Sequence, residues 1–449
     1  MSSMIVETKY GKLQGVKEDG CIVFKGVPYA MPPVGDLRFK APRPPMPWDG
    51  VLKADAFSCR SAQNDINTPD TFYGKEFYQE KVFATPVSED SLYLNLWVPE
   101  DALAGEAEER HSFPVAVYIH GGAFLGGCGH EAEFRTGAYG KKGVILVTIN
   151  YRLGVFGFLA HPWLEAEDDV ACGNYGIMDQ IAALDWIREN IRAFGGDPEN
   201  ITIFGQSAGC ISVQTLLSTP YAKGKFAKAI LQSGAGYPVV VQRDVTLDQA
   251  FEYGKMVAEK AGAASLEELR AVSMETLLAV QGEISEELMS TGQGLVFCPV
   301  LNRKFRTQTY DGAVENGTIA NVPTMIGSTR NDITVTPEEA ASQQSRLRES
   351  CRGWALAMER LGHAPSYVYY FKRSMPGDDA GAFHSSELWY MFGTQKRCWR
   401  PLTEGDDRLA ETMVSYWTNF MKNGSPEGPG LKLWPPCTAE DPFEMEFDI

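Results

Sequence analysis

No stretch of the 449 residues approaches the roughly eighteen consecutive apolar residues that a membrane-spanning helix needs. Positive charge is also short: 41 basic residues against 58 acidic ones leave a net charge of −17, which argues against nucleic acid or an anionic membrane as a partner. The opening residues, MSSMIVETKYGKLQGV, hold no basic leader, apolar stretch or small-residue cleavage site, so no secretion signal is expected. Cysteine never occurs as C-x-x-C. The nine thiols (Cys21, Cys59, Cys128, Cys172, Cys210, Cys298, Cys351, Cys398 and Cys437) are odd in number and scattered. That excludes zinc-ligand spacing and a dense disulfide framework, and a reduced cytoplasm is the expected location. Histidine is scarce, so any chemistry that needs an imidazole has only six candidates. Internal repeats and low-complexity blocks are absent, and the charged run near residue 106 reads as a solvated loop.

What is present is an alternation of strand and helix patterns. PVAVYIHGG and VILVTINYR are continuous, largely β-branched runs, as in strands covered on both faces of a parallel sheet. SLYLNLWVP, ITIFG, KAILQSG, VPTMIGST and finally SYVYYFKR read as further strands. NYGIMDQIAALDWIRENIRAF places Ile181, Leu184, Ile187 and Ile191 at helical spacing, and Gly195 and Gly196 stop it. The proline-rich PYAMPPVGDLRFKAPRPPMPW must wind over a surface without regular structure. Residues of about 240–320 and 335–362 are polar and helical, with SLEELR and SMETLL resembling capping boxes, and are expected as cap insertions over the sheet. The expected fold is α/β in a single domain, with a mostly parallel sheet and helices on both faces.

The chemistry centres on GQSAG at 205–209. A G-x-S-x-G match alone is weak, but this one lies between the strand-like ITIF and the helix-like AGCISVQTLLS. That is the strand–turn–helix context of a nucleophile elbow, in which flanking glycines relieve crowding around a strained serine. Ser207 is the candidate nucleophile, and a serine hydroxyl needs a base. Chain order serine–acid–histidine leaves His363 and His384. His363 precedes the last strand, where a loop residue is the plainer reading. His384 follows that strand, at the edge where reacting groups collect, and is the expected base. Asp332 is the first carboxylate after VPTMIGSTRN and fits as the residue that orients the imidazole; Asp311 and Glu315 precede that strand and fit worse. Small residues in YIHGGAFLGG would let the N–H groups of Gly122 and Ala123, with that of Ala208, form an oxyanion hole. His120 would then shape the loop. Ordinary turns explain each feature singly, but not their coincidence.

Taken together, FKGVPYAMPPVGDLRF, EDSLYLNLWVP, HGGAF, NYRLGVFGFL, FGGDPENITIFGQSAG and GAFHSSEL resemble the type-B carboxylesterases, which are α/β-hydrolases, from near Thr8 to about Asn423. The resemblance implies a Ser207–Asp332–His384 triad, more often built with glutamate as its acid. It also implies structural ion pairs Arg38–Glu89 and Arg152–Asp179. Three departures stand out. Ser91 occupies a position where secreted members have a cysteine that pairs near Cys59. Gln206 replaces the usual glutamate before the nucleophile, so the pull on cationic substrate groups should be weak. The chain is short between Asp332 and the last strand, so a trimmed cap and a shallower gorge are expected.

The expected activity is hydrolysis of carboxylic esters through an acyl-enzyme, with a small-molecule ester as partner and no metal or organic cofactor. The chain is expected to be a monomer or small homo-oligomer. A neuroligin-like interaction module is the rival reading, though such members lose the serine. An interfacial lipase would need an amphipathic lid, for which SLEELRAVSMETLLAV is a weak candidate. Phe124, Leu125, Gln206, Trp389 and Phe392 adjoin the catalytic motifs and could line a pocket for short-chain or aromatic esters, hydroxycinnamates among them; core packing accounts for the hydrophobic ones equally well.

Overall fold

The computed structural model describes residues 4–65, 67–78, 85–104, 112–241, 244–290, 292 and 294–449. His111 and most of the charged run near residue 106 lie outside them. Its centre is a ten-stranded sheet. In chain order the strands are β1 (Val16–Glu18), β2 (Cys21–Pro28), β3 (Tyr93–Pro99), β4 (Phe113–Ile119), β5 (Ile145–Ile149), β6 (Gly196–Gln206), β7 (Lys228–Gln232), β8 (Thr324–Thr329), β9 (Ser366–Phe371) and β10 (Glu444–Phe447). In space they run β1-β2-β3-β5-β4-β6-β7-β8-β9-β10. The first three pairings are antiparallel and the rest, from β5 onward, are parallel.

Alternation along the strands sends side chains to two separate cores. Val115, Val117 and Ile119 of β4, with Ile201 and Ile203 of β6, face a core shared with three helices, α2 (Tyr175–Asn190), α3 (Ala208–Ser218) and α6 (Arg346–Arg360). Ala116, Tyr118, Phe204 and Met325 point the other way, against α8 (Glu404–Asn423) and Trp434. Each fully buried aliphatic side chain contributes about 1.5–3 kcal/mol, so both faces hold the parallel strands in place.

Two elements depart from the expected pattern. The last strand is β10, not the SYVYYF segment, because the chain returns after α8 and pairs Val368–Phe371 with Glu444–Phe447. Helix α8 itself buries Leu409, Met413, Trp417 and Phe420 over the face that the parallel sheet would otherwise leave open. Between β7 and β8 lie α4 (Leu247–Lys260) and α5 (Met274–Ser290). Gln281 of α5 accepts the Val155 N–H at 2.7 Å, which ties this segment to the loop after β5.

The expected ion pairs both form. Arg152 donates Nε and a terminal nitrogen to Asp179 at 2.8 and 2.7 Å, with side chains only 4% and 0% exposed. Arg38 makes the same two-pronged contact with Glu89 and donates to the carbonyls of Arg270 and Val272, linking the proline-rich segment to the α4–α5 region. Removing the charge at Asp179 leaves a buried guanidinium uncompensated. Asp179→Asn is therefore expected to lower unfolding stability by about 3–5 kcal/mol. Glu100→Gln, whose partner Lys17 is 65% exposed, should leave denaturant midpoints unchanged.

Candidate active site

The chain after β6 turns abruptly at Ser207, which sits at φ 58° and ψ −123° as α3 begins. This is a strained conformation for a residue with a side chain. It is held by the Ser207 N–H, which donates to Gln232 O on β7 at 2.9 Å, and by Ser207 O, which accepts from Ile211 at 3.0 Å. The turn is possible because Gly205 and Gly209 have no side chains. A Cβ on Gly209 would lie 2.0 Å from Ile119 O at the end of β4, and one on Gly205 would lie 2.6 Å from the Gly209 backbone.

The loop after β4 passes the same point. Gly122 (φ 99°) and Ala123 (φ 55°) take left-handed conformations, and Gly122 O accepts from Leu125 and Gly126. Among the described residues, the N–H groups of Gly122, Ala123 and Ala208 have no hydrogen-bond acceptor. His120 is buried, which lowers its ring to about 4, and it shares a 2.9 Å contact between Nδ1 and Gly121 O. It is a neutral ring stacked on Tyr151.

Asp332 and His384 come together because the loops after β8 and β9 are zipped side by side. Asn331 N–H donates to Ala382 O, and its side-chain oxygen accepts the Ala382 N–H, both at 2.9 Å. His384 Nδ1 then lies 2.5 Å from Asp332 Oδ1, while Asp332 also accepts the Thr329 and Ile333 N–H groups at 2.8 Å. Burial alone would raise the Asp332 carboxyl. The neighbouring His384 ring and these hydrogen bonds outweigh that and hold it below the ordinary carboxylate range. His363 stands at the start of the loop into β9, away from this pair.

Ser207 and His384 line one cavity of about 290 Å³, together with Gly122, Ala123 and Gln206. Among the described residues no hydrogen bond joins the Ser207 hydroxyl to the ring. The Gln206 side-chain amide faces it instead, 3.1 Å from His384 Nε2. With Nδ1–H directed at Asp332, the Nε2 lone pair accepts from that amide.

Four of the five pocket candidates lie outside the lining. Phe124, at φ 60°, is fully buried against Phe158, and Leu125 packs beside that core. Phe392 fills an aromatic cluster with Tyr118 and Phe204. Trp389, on the short α7 (Leu388–Met391), backs the wall by stacking on Phe77 at 5.2 Å. The lining is instead built by Tyr73 and Phe77 of α1 (Phe72–Phe77), Tyr118, Phe134, Ile333 and Leu388, none of which is among the expected pocket residues. Among the described residues, none that lines the cavity comes from 240–320 or 335–362.

Glu387, three residues beyond His384, is fully buried beside Asp332 without a cation paired to it among the described residues. Burial, then repulsion from Asp332, raises its carboxyl to about 8. The unfolded chain releases this proton at the ordinary glutamate pKa, so folding becomes less favourable as pH rises from there to about 8. Glu387→Gln removes that dependence. Its stability relative to wild type should grow between about pH 5 and pH 8 in urea unfolding, and a constant difference would contradict the assignment.

A strand–serine–helix turn at the carboxyl edge of a mostly parallel sheet, with a buried Asp–His pair on the neighbouring loops, defines an α/β-hydrolase. The carboxylesterase family model matches residues 2–356 and 350–449. A para-nitrobenzyl esterase of Bacillus subtilis (strain 168) is 33% identical over 97% of this chain and 93% of its own length. A phenmedipham hydrolase of Pseudarthrobacter oxydans is 31% identical over 98% and 94%. A solved structure of PNB esterase superposes with a TM-score of 0.85 at 31% identity, covering 99% and 96% of the two chains. The chain belongs to the carboxylesterase family and acts on carboxylic ester bonds. Among the described residues no helix is long and apolar enough to cross a membrane.

Proposed function

We propose that this carboxylesterase works through an acyl-enzyme on Ser207, with His384 as base and Asp332 as the group that orients it. The observation that carries the reading is one cavity lined by a serine on a strained elbow, by the His384 ring that pairs with buried Asp332, and by Gly122 and Ala123, whose backbone N–H groups have no acceptor among the described residues. Ser207 Oγ attacks the ester carbonyl as His384 Nε2 takes its proton, and the Gln206 amide must yield that nitrogen. Gly122, Ala123 and Ala208 receive the oxyanion. The protonated ring then delivers its proton to the leaving alcohol and afterwards activates water to release the acid.

The lining of Tyr73, Phe77, Tyr118 and Phe134 favours short-chain or aromatic esters, hydroxycinnamates among them. A series of p-nitrophenyl esters of rising acyl length, run beside chlorogenate, separates these. The chain is read as one catalytic domain, with residues of about 240–320 and 335–362 as helical insertions around it. None of the nine cysteines, all among the described residues, forms a disulfide, which suits a reducing compartment such as the cytoplasm.

Ser207→Ala should lower kcat by about a thousandfold or more with the fold intact, since members of such a triad act as a unit. Comparable turnover in that variant excludes the mechanism. Gln206→Glu tests the residue between the two halves. A carboxylate 3–4 Å from the ring, in place of the amide now at 3.1 and 3.4 Å, favours the protonated imidazole, so the ring loses its base function at higher pH. The acid limb of kcat/KM should therefore move to higher pH, and an unmoved limb in a folded variant shows that residue 206 is not coupled to the base.

A further inference from the structure

The negative charge that Gln206 lacks stands elsewhere in the same cavity. Glu131 and Glu133 both line it, 6% and 2% exposed, on either side of Ala132. Their backbone is clamped: Arg397 donates to the carbonyls of Ala132 and Arg135 at 2.8 and 2.6 Å, and the Thr394 hydroxyl donates to Glu133 O at 3.0 Å. Glu131 Oε1 accepts the Tyr78 hydroxyl at 2.7 Å and the Cys128 N–H at 3.0 Å. Neither carboxyl has an ion-pair partner among the described residues. Among the described residues, two further buried oxygens have no hydrogen-bond partner: Glu133 Oε2 and the hydroxyl of Tyr118, a fully buried residue that also lines the cavity.

We propose that Glu131, Glu133 and the Tyr118 hydroxyl form a subsite for a primary ammonium group, so that the preferred esters carry an amine on their acyl or alcohol part. Two adjacent buried carboxyls cannot both ionise without a cation. Burial, and then the charge on Glu131, hold the Glu133 carboxyl well above its ordinary range, which favours its carrying a proton. An ammonium group replaces that proton with a full charge and brings N–H donors to Glu133 Oε2 and the Tyr118 hydroxyl. A quaternary ammonium has no N–H and leaves both oxygens unsatisfied. Ser207 lines the same cavity, so one substrate reaches both ends.

The proposal rests on the hydrolytic reading of Ser207, and the test separates the two. It compares kcat/KM for the p-nitrophenyl esters of 4-(aminomethyl)benzoate, 4-ethylbenzoate and 4-(trimethylammoniomethyl)benzoate. Charge-assisted hydrogen bonds in a buried site predict a preference of about tenfold or more for the aminomethyl ester over the ethyl one, and no such gain for the trimethylammonium ester. Glu133→Gln should abolish the preference while hydrolysis of the ethyl ester stays within about twofold; Tyr118→Phe, which removes no charge, should reduce it. Equal or lower kcat/KM for the aminomethyl ester, in an enzyme that cleaves the ethyl ester, overturns the subsite and leaves the hydrolytic reading standing. Benzylamine binding to Ser207→Ala protein, followed as a thermal shift, tests the subsite without turnover. A shift that Glu133→Gln removes supports it, and no shift in the parent overturns it.

Discussion

The start of helix α3 is pressed against the carbonyl of Ile119, and the geometry of the site follows from that contact. No side chain fits at Gly209 or Gly205, so the chain can turn there within one residue and leave Ser207 at a positive φ. The same closeness brings the loop after β4 beside the elbow. A Cβ on Gly121 would stand 2.9 Å from Gln206 O and 3.2 Å from the Ser207 Cβ. The N–H groups after His120 and the N–H that opens α3 are thereby brought to neighbouring loops, which in the proposed mechanism face the charge that develops during attack. They are fixed before substrate arrives, which is what gives such donors their effect in a site shielded from water.

The other half of the site is assembled independently. Asn331 zips the loop after β8 to the loop after β9, so the Asp332–His384 pair depends on the β8–β9 side of the sheet and not on the elbow. The halves meet at Gln206, whose amide occupies the ring nitrogen that the serine would need. A glutamate there would add negative charge beside the imidazole. The amide instead offers a neutral donor, and the carboxyls that line the cavity stand at Glu131 and Glu133.

The parts of this arrangement legible in the sequence are those that short-range geometry dictates. G-x-S-x-G needs its glycines because of a backbone contact, so the pattern survives in one dimension. Asp332 follows soon after its strand, and six histidines with a fixed chain order leave little choice for the imidazole that pairs with it. The cavity walls have no such signature. Phe124 adjoins the Gly-rich loop, but its positive φ turns the ring into the core. Phe392 sits near the base in sequence and on the far side of the packing in space. Tyr73, Phe77 and Glu133 reach the cavity through helix and loop placements that only the tertiary fold sets. Strand β10 and helix α8 were also out of reach of pattern reading: a four-residue edge strand carries too little periodicity, and α8 is recognised only once the uncovered face of the sheet is known.

The central claim is that the ester's acyl group passes through a covalent bond to Ser207. Acid quenching during the first turnovers of a slowly deacylating p-nitrophenyl ester, followed by peptide mapping, tests it most directly. The account predicts the mass of one acyl group on the peptide containing Gly205–Gly209, formed together with a burst of nitrophenol about equal to the enzyme present. Rapid turnover with no adduct, or an adduct confined to another residue, would contradict it.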